Sequence, residues 1–343
     1  MQPNPFYNEG EKFRKAGIRN MKSRLLGKSG LEVSAVGYGC MGLSHGYGAV
    51  PEHEEAVRLL HKAYELGCTF FDTAEVYGAG HNELLVGEAI EPFRNKIVLA
   101  TKLHLNSAEG DTETVIRRHL EESMKRLRTD YIDLYYQHRV EEDDKVEEVA
   151  EVMGKLMKEG KIRGWGQSQS TPDQIRRAHA VAPLAAIQSE YSIMERIFEK
   201  DVIPACEELG IGFVAFSPLA SGFLSGKYNN SSTYSGDDVR RVITRFSKEN
   251  VKANQPLLDL LNKAATEKNA TAAQISLAWM LHKKDFIVPI PGMRRDERII
   301  ENLGAAGVEL TDSEFEQIEA ELSKIAIHGN RTDADIAKLK CMQ

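Results

Sequence analysis

Cysteine is scarce in this chain of 343 residues. Cys40, Cys68, Cys206 and Cys341 are scattered, and no two of them form a CxxC pair. That spacing excludes the dense disulfide framework of a small secreted fold and gives zinc no ligand set; it fits reduced thiols in a cytoplasm. Long apolar runs are also missing. Nowhere do about eighteen apolar residues follow one another, so no membrane span is expected. The first twenty residues mix both charge signs and lack the apolar core of a secretory signal, so 1–21 reads as a polar extension. Positive charge is in deficit, with 44 Lys and Arg against 51 Asp and Glu and a net charge of −7, which argues against a broad phosphate-backbone footprint and so against nucleic acid as a partner. What the chain does have is 42% hydrophobic residues, enough to bury a large core.

From Met21 onward the pattern alternates. A short hairpin, KSRLLGKSGLEVSAVGYG, precedes a helix that opens near Pro51 and the strand CTFFD. Helix-period and strand-period segments then follow in turn: ELLVGEAIEPF, KIVLATK, DTETVIRRHLEESMKRL, IDLYYQH, KVEEVAEVMGKLMKEG, IRGWGQS, PDQIRRAHAV, LAAIQSEYS, FEKDVIPACEELG, IGFVAFSP, helices within 251–283, FIVPIPG and a last helix at ERIIENLG. Strands that alternate with helices predict a parallel sheet covered by helices, and eight such units match a closed (β/α)₈ TIM barrel. The barrel is expected over 22–325, with 326–343 as a C-terminal tail. An open dinucleotide-binding sheet is the rival, because GYGCMG at 37–42 matches GxGxxG. That fingerprint requires a helix to open at its glycines, whereas LSHGYGAV keeps the chain irregular up to Pro51.

A barrel of this kind carries its active site at the carboxyl ends of its strands. There the second strand ends at Asp72, with Tyr77 in its loop; the third ends at Lys102, and the fourth in Gln137 and His138. Each residue alone has an ordinary reading as a turn, cap or solvated rim residue. Together, an acid, a phenol, an amine and an imidazole on neighbouring strands form a complementary set. Asp72 is expected to pair with Lys102, and the ammonium to lower the pKa of Tyr77 from its usual value of about 10. His138 suits a hydrogen bond to a carbonyl oxygen that gains negative charge. The set fits proton donation to a carbonyl that receives a hydride, which calls for a nicotinamide cofactor. It offers no metal-ligand spacing.

The ordered segments DTAEVYG, ATK, LYYQHR, GWGQSQS, IQSEYS, FSPLASGFLSGKY and IPGMRRDERIIENLGA resemble the aldo-keto reductase superfamily over roughly 22–310, and VGYGCMGLSHGYG resembles a branch with GCMGLS-type openings that reduces aldehydes and ketones. The resemblance places Asp72, Tyr77, Lys102 and His138 on the family's tetrad, with Tyr77 as general acid. It implies that Ser168, Gln169 and Gln188 hold a nicotinamide carboxamide and that Phe216 stacks on the ring. Ser217, Leu219 and Lys227 fall near the pyrophosphate, and Glu301 and Asn302 on the adenine side. The connection from Ser217 to about Asn250 is long for its place in the fold and reads as a cofactor clamp. Its polar stretch NNSSTYSGDDVRRV reads equally as a segment that orders on binding or as plain disorder. Gly292 permits close backbone approach. Arg294 and Arg298, four apart at a helix start, read either as a phosphate clamp that favours NADPH over NADH or as a solvated basic face. Met41, His104 and Arg139 are rim candidates for a small carbonyl substrate, and the last two hint at polar or anionic substrates.

Three functions remain in view: an NADPH-dependent carbonyl reductase, a non-catalytic NADPH-binding regulatory subunit like the potassium-channel β-subunits, and a metal-dependent barrel hydrolase or isomerase. NADPH consumption with an aldehyde panel separates the first from the second, and sensitivity to chelators marks the third.

Overall fold

The computed structural model describes residues 21–105 and 110–331. Strands β1 (Ser23–Leu25) and β2 (Glu32–Ser34) form an antiparallel hairpin with Ser23 opposite Ser34. Its turn presses on the foot of the barrel: Lys28 N–H donates to Gly210 O at 2.7 Å, and a Cβ on Gly27 would lie 2.1 Å from that same oxygen. Only glycine fits there.

Eight parallel strands follow in sequence order: β3 (Tyr38–Gly39), β4 (Phe70–Asp72), β5 (Val98–Leu103), β6 (Ile132–Gln137), β7 (Ile162–Ser168), β8 (Ala186–Glu190), β9 (Gly212–Phe216) and β10 (Ile287–Pro289). Each pairs with its successor, for example Asp72 with Ala100 and Lys102 with Tyr136. The sheet closes on itself where Gly37 N–H donates to Pro289 O (2.9 Å) and Gly39 N–H to Pro291 O (3.1 Å), with a parallel bridge between Gly39 and Gly292. A (β/α)₈ barrel results, with no open edge.

Alternation along the strands sorts the two layers. Phe70, Val98, Ala100, Leu134, Tyr136, Ala186, Val214, Val288 and Ile290 cluster inside the barrel with Leu26, Leu31 and Val33 of the hairpin, which thus seals the lower end. Their neighbours Phe71, Leu99, Tyr135, Ile187 and Phe213 face outward into the larger core beneath the helices. The interior is tight enough that a Cβ on Gly166 would stand 2.4 Å from Ala186 O and 2.5 Å from the Tyr136 ring.

The helices start where the sequence provides caps. Thr171 with Gln174 and Thr271 with Gln274 form reciprocal capping boxes for Pro172–Val181 and Ala272–Lys283. A third box, Thr311 with Glu314, opens a helix at Asp312–Leu322 beyond the expected last helix, which itself spans Asp296–Gly304. The GYGCMG segment opens no long helix. It leads into a single 3₁₀ turn, Met41–Leu43, and the chain stays irregular until His53, as its sequence suggests.

Candidate active site

The inward-facing row of each strand, followed toward the carboxyl end, changes from apolar to polar within two residues. Above Phe70 stands Asp72; above Ala100, Lys102; above Tyr136, His138; above Ala186, Gln188. Lys102 is fully buried and Asp72 nearly so. The Lys102 ammonium donates to Asp72 Oδ1 at 2.5 Å, to the carbonyl of Thr73 at 2.7 Å and to the Tyr77 hydroxyl at 3.4 Å. Its three N–H donors are thus all engaged. Gln188 Nε2 donates to the second oxygen of Asp72 at 2.8 Å. The expected Asp72–Lys102 pair is therefore present, and it directs one ammonium proton at the phenol.

Tyr77 enters from the β4 loop, where its N–H donates to Ala74 O at 3.1 Å. Its ring meets His138 edge-on, with centroids 5.7 Å apart, and His45 at 5.5 Å. Burial raises the Tyr77 phenol above its ordinary pKa, while the Lys102 ammonium opposes the rise. The expected net lowering is not seen, because desolvation outweighs the nearby charge. The phenol is accordingly a proton-bearing group near neutrality. Burial also pushes the His138 imidazole well below its usual pKa, helped by Lys102, Arg139 and His104, so this ring is neutral. For Lys102, burial acts to lower the pKa, but Asp72 and Tyr77 together hold it above the ordinary lysine value. The Lys102–Asp72 pair is ionic.

Above these groups lies a cavity of about 410 Å³, lined by Met41, Tyr77, His138, Arg139, Gln188, Phe216 and Arg331 among others. A second cavity of about 520 Å³ runs from it toward a basic rim formed by Lys227, Arg295 and Arg298. The two share Gly42, Tyr47, Ser217 and Gly292, so they form one continuous groove.

The long connection after β9 folds over this groove. Ser217, Ala220 and Ser221 all adopt left-handed backbone, at φ 49°, 49° and 56°, which is uncommon for residues other than glycine and concentrates strain beside the groove. The stretch 229–242 is structured. Asp237 accepts from the N–H groups of Gly46 (2.6 Å) and Gly48 (3.1 Å), Val239 N–H donates to Gly46 O (3.0 Å), and Arg240 pairs with Asp238 while lying 4.3 Å from the centre of the Tyr228 ring. These contacts strap the connection to the 42–50 loop.

The family model for the aldo/keto reductase family matches residues 35–322. This chain belongs to the aldo/keto reductase family. A soybean (Glycine max) protein described as probable aldo-keto reductase 1 is 41% identical over 301 residues, 85% of this chain and 86% of that one. Among solved structures, the glycerol dehydrogenase of Gluconobacter oxydans superposes with a TM-score of 0.80 at 30% identity, covering 91% of this chain and 97% of that one. An aldo/keto reductase from Klebsiella pneumoniae, solved with NADP and acetate, gives 0.71 at 28% identity, with 91% and 99% covered.

Within this aldo/keto reductase, the residues singled out in the sequence do not all reach the groove. Gln188, Phe216, Ser217, Leu219, Lys227, Gly292, Arg294, Arg298 and Asn302 line it. Ser168 is buried behind Arg139, whose Nη1 lies 3.5 Å from its Oγ. Gln169, at φ 64°, donates its N–H to Gln188 O and is not among the lining residues. Glu301 pairs with Arg298. Arg294 donates to the carbonyls of Ala49 (2.8 Å) and Tyr47 (3.1 Å), so its guanidinium fastens the 42–50 loop. His104 is exposed and does not line the cavity, whereas Met41 and Arg139 do. Among the groove residues that were missed are Arg295, although MRRDER displays it beside Arg294; Tyr47, inside the irregular loop; and Arg331, in the expected tail. Among the described residues no cluster of His, Cys, Asp or Glu could hold a metal, and no helix is long and apolar enough to cross a membrane.

Proposed function

We propose that this chain is an NADPH-dependent carbonyl reductase that converts aldehydes or ketones to alcohols with Tyr77 as general acid. The observation that carries the reading is the Lys102 ammonium, buried and ion-paired to Asp72, reaching the Tyr77 hydroxyl at 3.4 Å on the floor of the cavity. The groove residues fit a dinucleotide. The buried Oδ1 of Asn302 has no hydrogen-bond partner, a cationic rim of Lys227, Arg295 and Arg298 suits a phosphate, and Gln188, with Ser168 and Gln169 behind it, suits a carboxamide beside the Phe216 ring. Bound there, NADPH would supply the hydride. Ser217 and Leu219 would flank its pyrophosphate, while Arg294 and Glu301 act indirectly, by fixing the 42–50 loop and Arg298.

The protein's own part is protonic. Neutral His138 orients the carbonyl oxygen by a hydrogen bond, and the Tyr77 hydroxyl gives its proton to that oxygen as negative charge builds on it. Lys102 then stabilises the phenolate left behind, and Asp72 keeps Lys102 charged and in place. The sealed lower end and the buried walls limit the access of competing water. In the alcohol-oxidising direction the same phenolate acts as base.

The test is NADPH consumption by the purified protein with a panel of aldehydes and ketones. Turnover with at least one of them, reduced by about 10²- to 10⁴-fold in Tyr77→Phe, supports the reading. Tight NADPH binding with no turnover across the panel would replace it with the regulatory-subunit reading.

A further inference from the structure

Tyr136 has no part in the proton transfer from Tyr77, although it lies in the layer directly below. It is fully buried in the interior cluster, one inward step beneath His138 on β6, with Lys102 of β5 and Gly166 of β7 as its register partners. Lys102 Nζ lies 6.0 Å from the centre of its ring. Toward β7 the ring covers Gly166, where a Cβ would stand 2.5 Å from it. The absent side chain at 166 lets the phenol lean across β7 toward β8, where Gln188 stands above Ala186, the register partner of Gly166.

The hydroxyl at the end of this ring has no hydrogen-bond partner. Gln188 is nevertheless within its influence: burial raises the Tyr136 phenol far above its ordinary pKa, the Asp72 carboxylate adds to the rise, and the Gln188 amide opposes it. The phenol is therefore a proton donor near neutrality. Gln188 is oriented by Asp72, whose Oδ2 accepts from Nε2 at 2.8 Å, and this turns the acceptor end of the amide, Oε1, to other groups. That oxygen has two lone pairs, enough for a hydroxyl below and an amide N–H above. A phenylalanine at 136 would fill the same volume among Phe70, Ala100, Leu134, Ala186 and Val214, and a buried hydroxyl without a partner is unfavourable. Its presence points to a bond made in another state of the protein. Gln188 lines the cavity and Tyr136 does not, so a bound group can reach the amide and, through it, the phenol.

Resting on the cofactor half of the carbonyl-reductase reading, we infer that Tyr136 is a positioning residue whose hydroxyl takes the Gln188 side-chain carbonyl from below when NADPH is bound. The amide is then fixed on three sides, by Asp72, by Tyr136 and by the carboxamide. One glutamine thereby ties the place of the nicotinamide to the carboxylate that holds Lys102, and the second phenol keeps that tie rigid.

The experiment titrates the purified parent, Tyr136→Phe, Gln188→Met and the double variant with NADPH and with adenosine 2′,5′-bisphosphate, which carries the adenine end of the cofactor and no nicotinamide. Tyr136→Phe should weaken NADPH by about two- to tenfold, the worth of one neutral hydrogen bond, and leave the bisphosphate unchanged. In the Gln188→Met background the same substitution should have no further effect, because the phenol acts through the amide. The melting temperature of the free protein should hold or rise, since the hydroxyl it loses has no partner there. If Tyr136→Phe binds NADPH as the parent does, whether or not it melts lower, the assignment is overturned. It is overturned equally if both ligands weaken alike, as a packing role would have it, or if the full effect persists without Gln188. A parent that binds NADPH but reduces no carbonyl would end the reductase reading while these titrations still decide the place of Tyr136; a parent that binds no NADPH would end both.

Discussion

The barrel interior has two halves built from the same strands. In the lower half, Phe70, Ala100, Leu134, Val214 and Val288 pack against Leu26, Leu31 and Val33 of the hairpin in one hydrophobic cluster. In the upper half, further along the inward-facing rows, stand Asp72, Lys102, His138 and Gln188. The lower cluster keeps the eight strands in register, and the register brings residues from four strands to a common point. Positional precision above is a product of apolar packing below, since a one-residue slip of any strand would turn its polar end outward. The halves should therefore separate in experiment: changes above should remove chemistry and spare the fold, and changes below should do the reverse.

The largest effect is expected at Tyr77→Phe. It deletes one hydroxyl from a loop residue, so turnover should fall by about 10²- to 10⁴-fold while the melting temperature and NADPH affinity stay near the parent values. Near-normal turnover under conditions where chemistry limits the rate would refute Tyr77 as the donor. Leu26→Ala probes the other half. Leu26 is fully buried in the hairpin plug, and the truncation should cost about 2–5 kcal/mol of stability with kcat per folded molecule unchanged. A drop in kcat with stability intact, measured by denaturant unfolding alongside kinetics, would show that the halves are not separable in this way.

Smaller effects sharpen the comparison within the upper half. Arg298→Ala should weaken NADPH about tenfold and leave NADH nearly unaffected, because it removes a charge from the phosphate end of the groove. Arg294→Ala should weaken both cofactors alike, since its guanidinium holds the carbonyls of Tyr47 and Ala49. Titrations of each variant with both cofactors decide the point; selective loss of NADPH in Arg294→Ala would restore that residue to the phosphate. The smallest effect is expected with pH. The Tyr77 pKa is raised above its ordinary value and that of His138 is lowered, so the reactive forms, protonated phenol and neutral imidazole, coexist throughout the range between them. Reduction should be nearly flat from about pH 7 to 9 and decline only above about pH 10, while alcohol oxidation, which needs the phenolate, should rise with pH. A reduction rate that already falls between pH 7 and 9 would contradict the raised phenol pKa.

The barrel and the floor of its site were legible in the sequence because both follow from local rules. A period of two, an apolar run and a polar last residue identify Asp72, Lys102 and His138 without any long-range information. The helix at Asp312–Leu322 was missed, although TDSE spells a capping box before Phe315, Ile318 and Leu322. The direction of the Tyr77 shift was not legible. The sequence shows that a lysine stands nearby but not how completely the surroundings exclude water, and burial proved the larger influence. The contacts of Arg294 and the place of Arg331 were not legible for a different reason. Their partners lie far away in sequence, at Tyr47 and Ala49 for the one and at Glu190 for the other, and no periodicity announces contacts made by irregular loops.

The means by which Arg331 is held has an evolutionary consequence. Asp72, Lys102 and His138 sit on or beside strands whose every neighbour is packed, so a change there disturbs the fold's own register. The 328–331 segment is fastened by a few hydrogen bonds from Thr244 and Asn254 and by one glycine turn. After gene duplication, drift in this short stretch could exchange one cavity wall for another while the reaction centre stays intact. A lineage could thus diversify its chemical diet by rewriting this short stretch and leaving its engine alone.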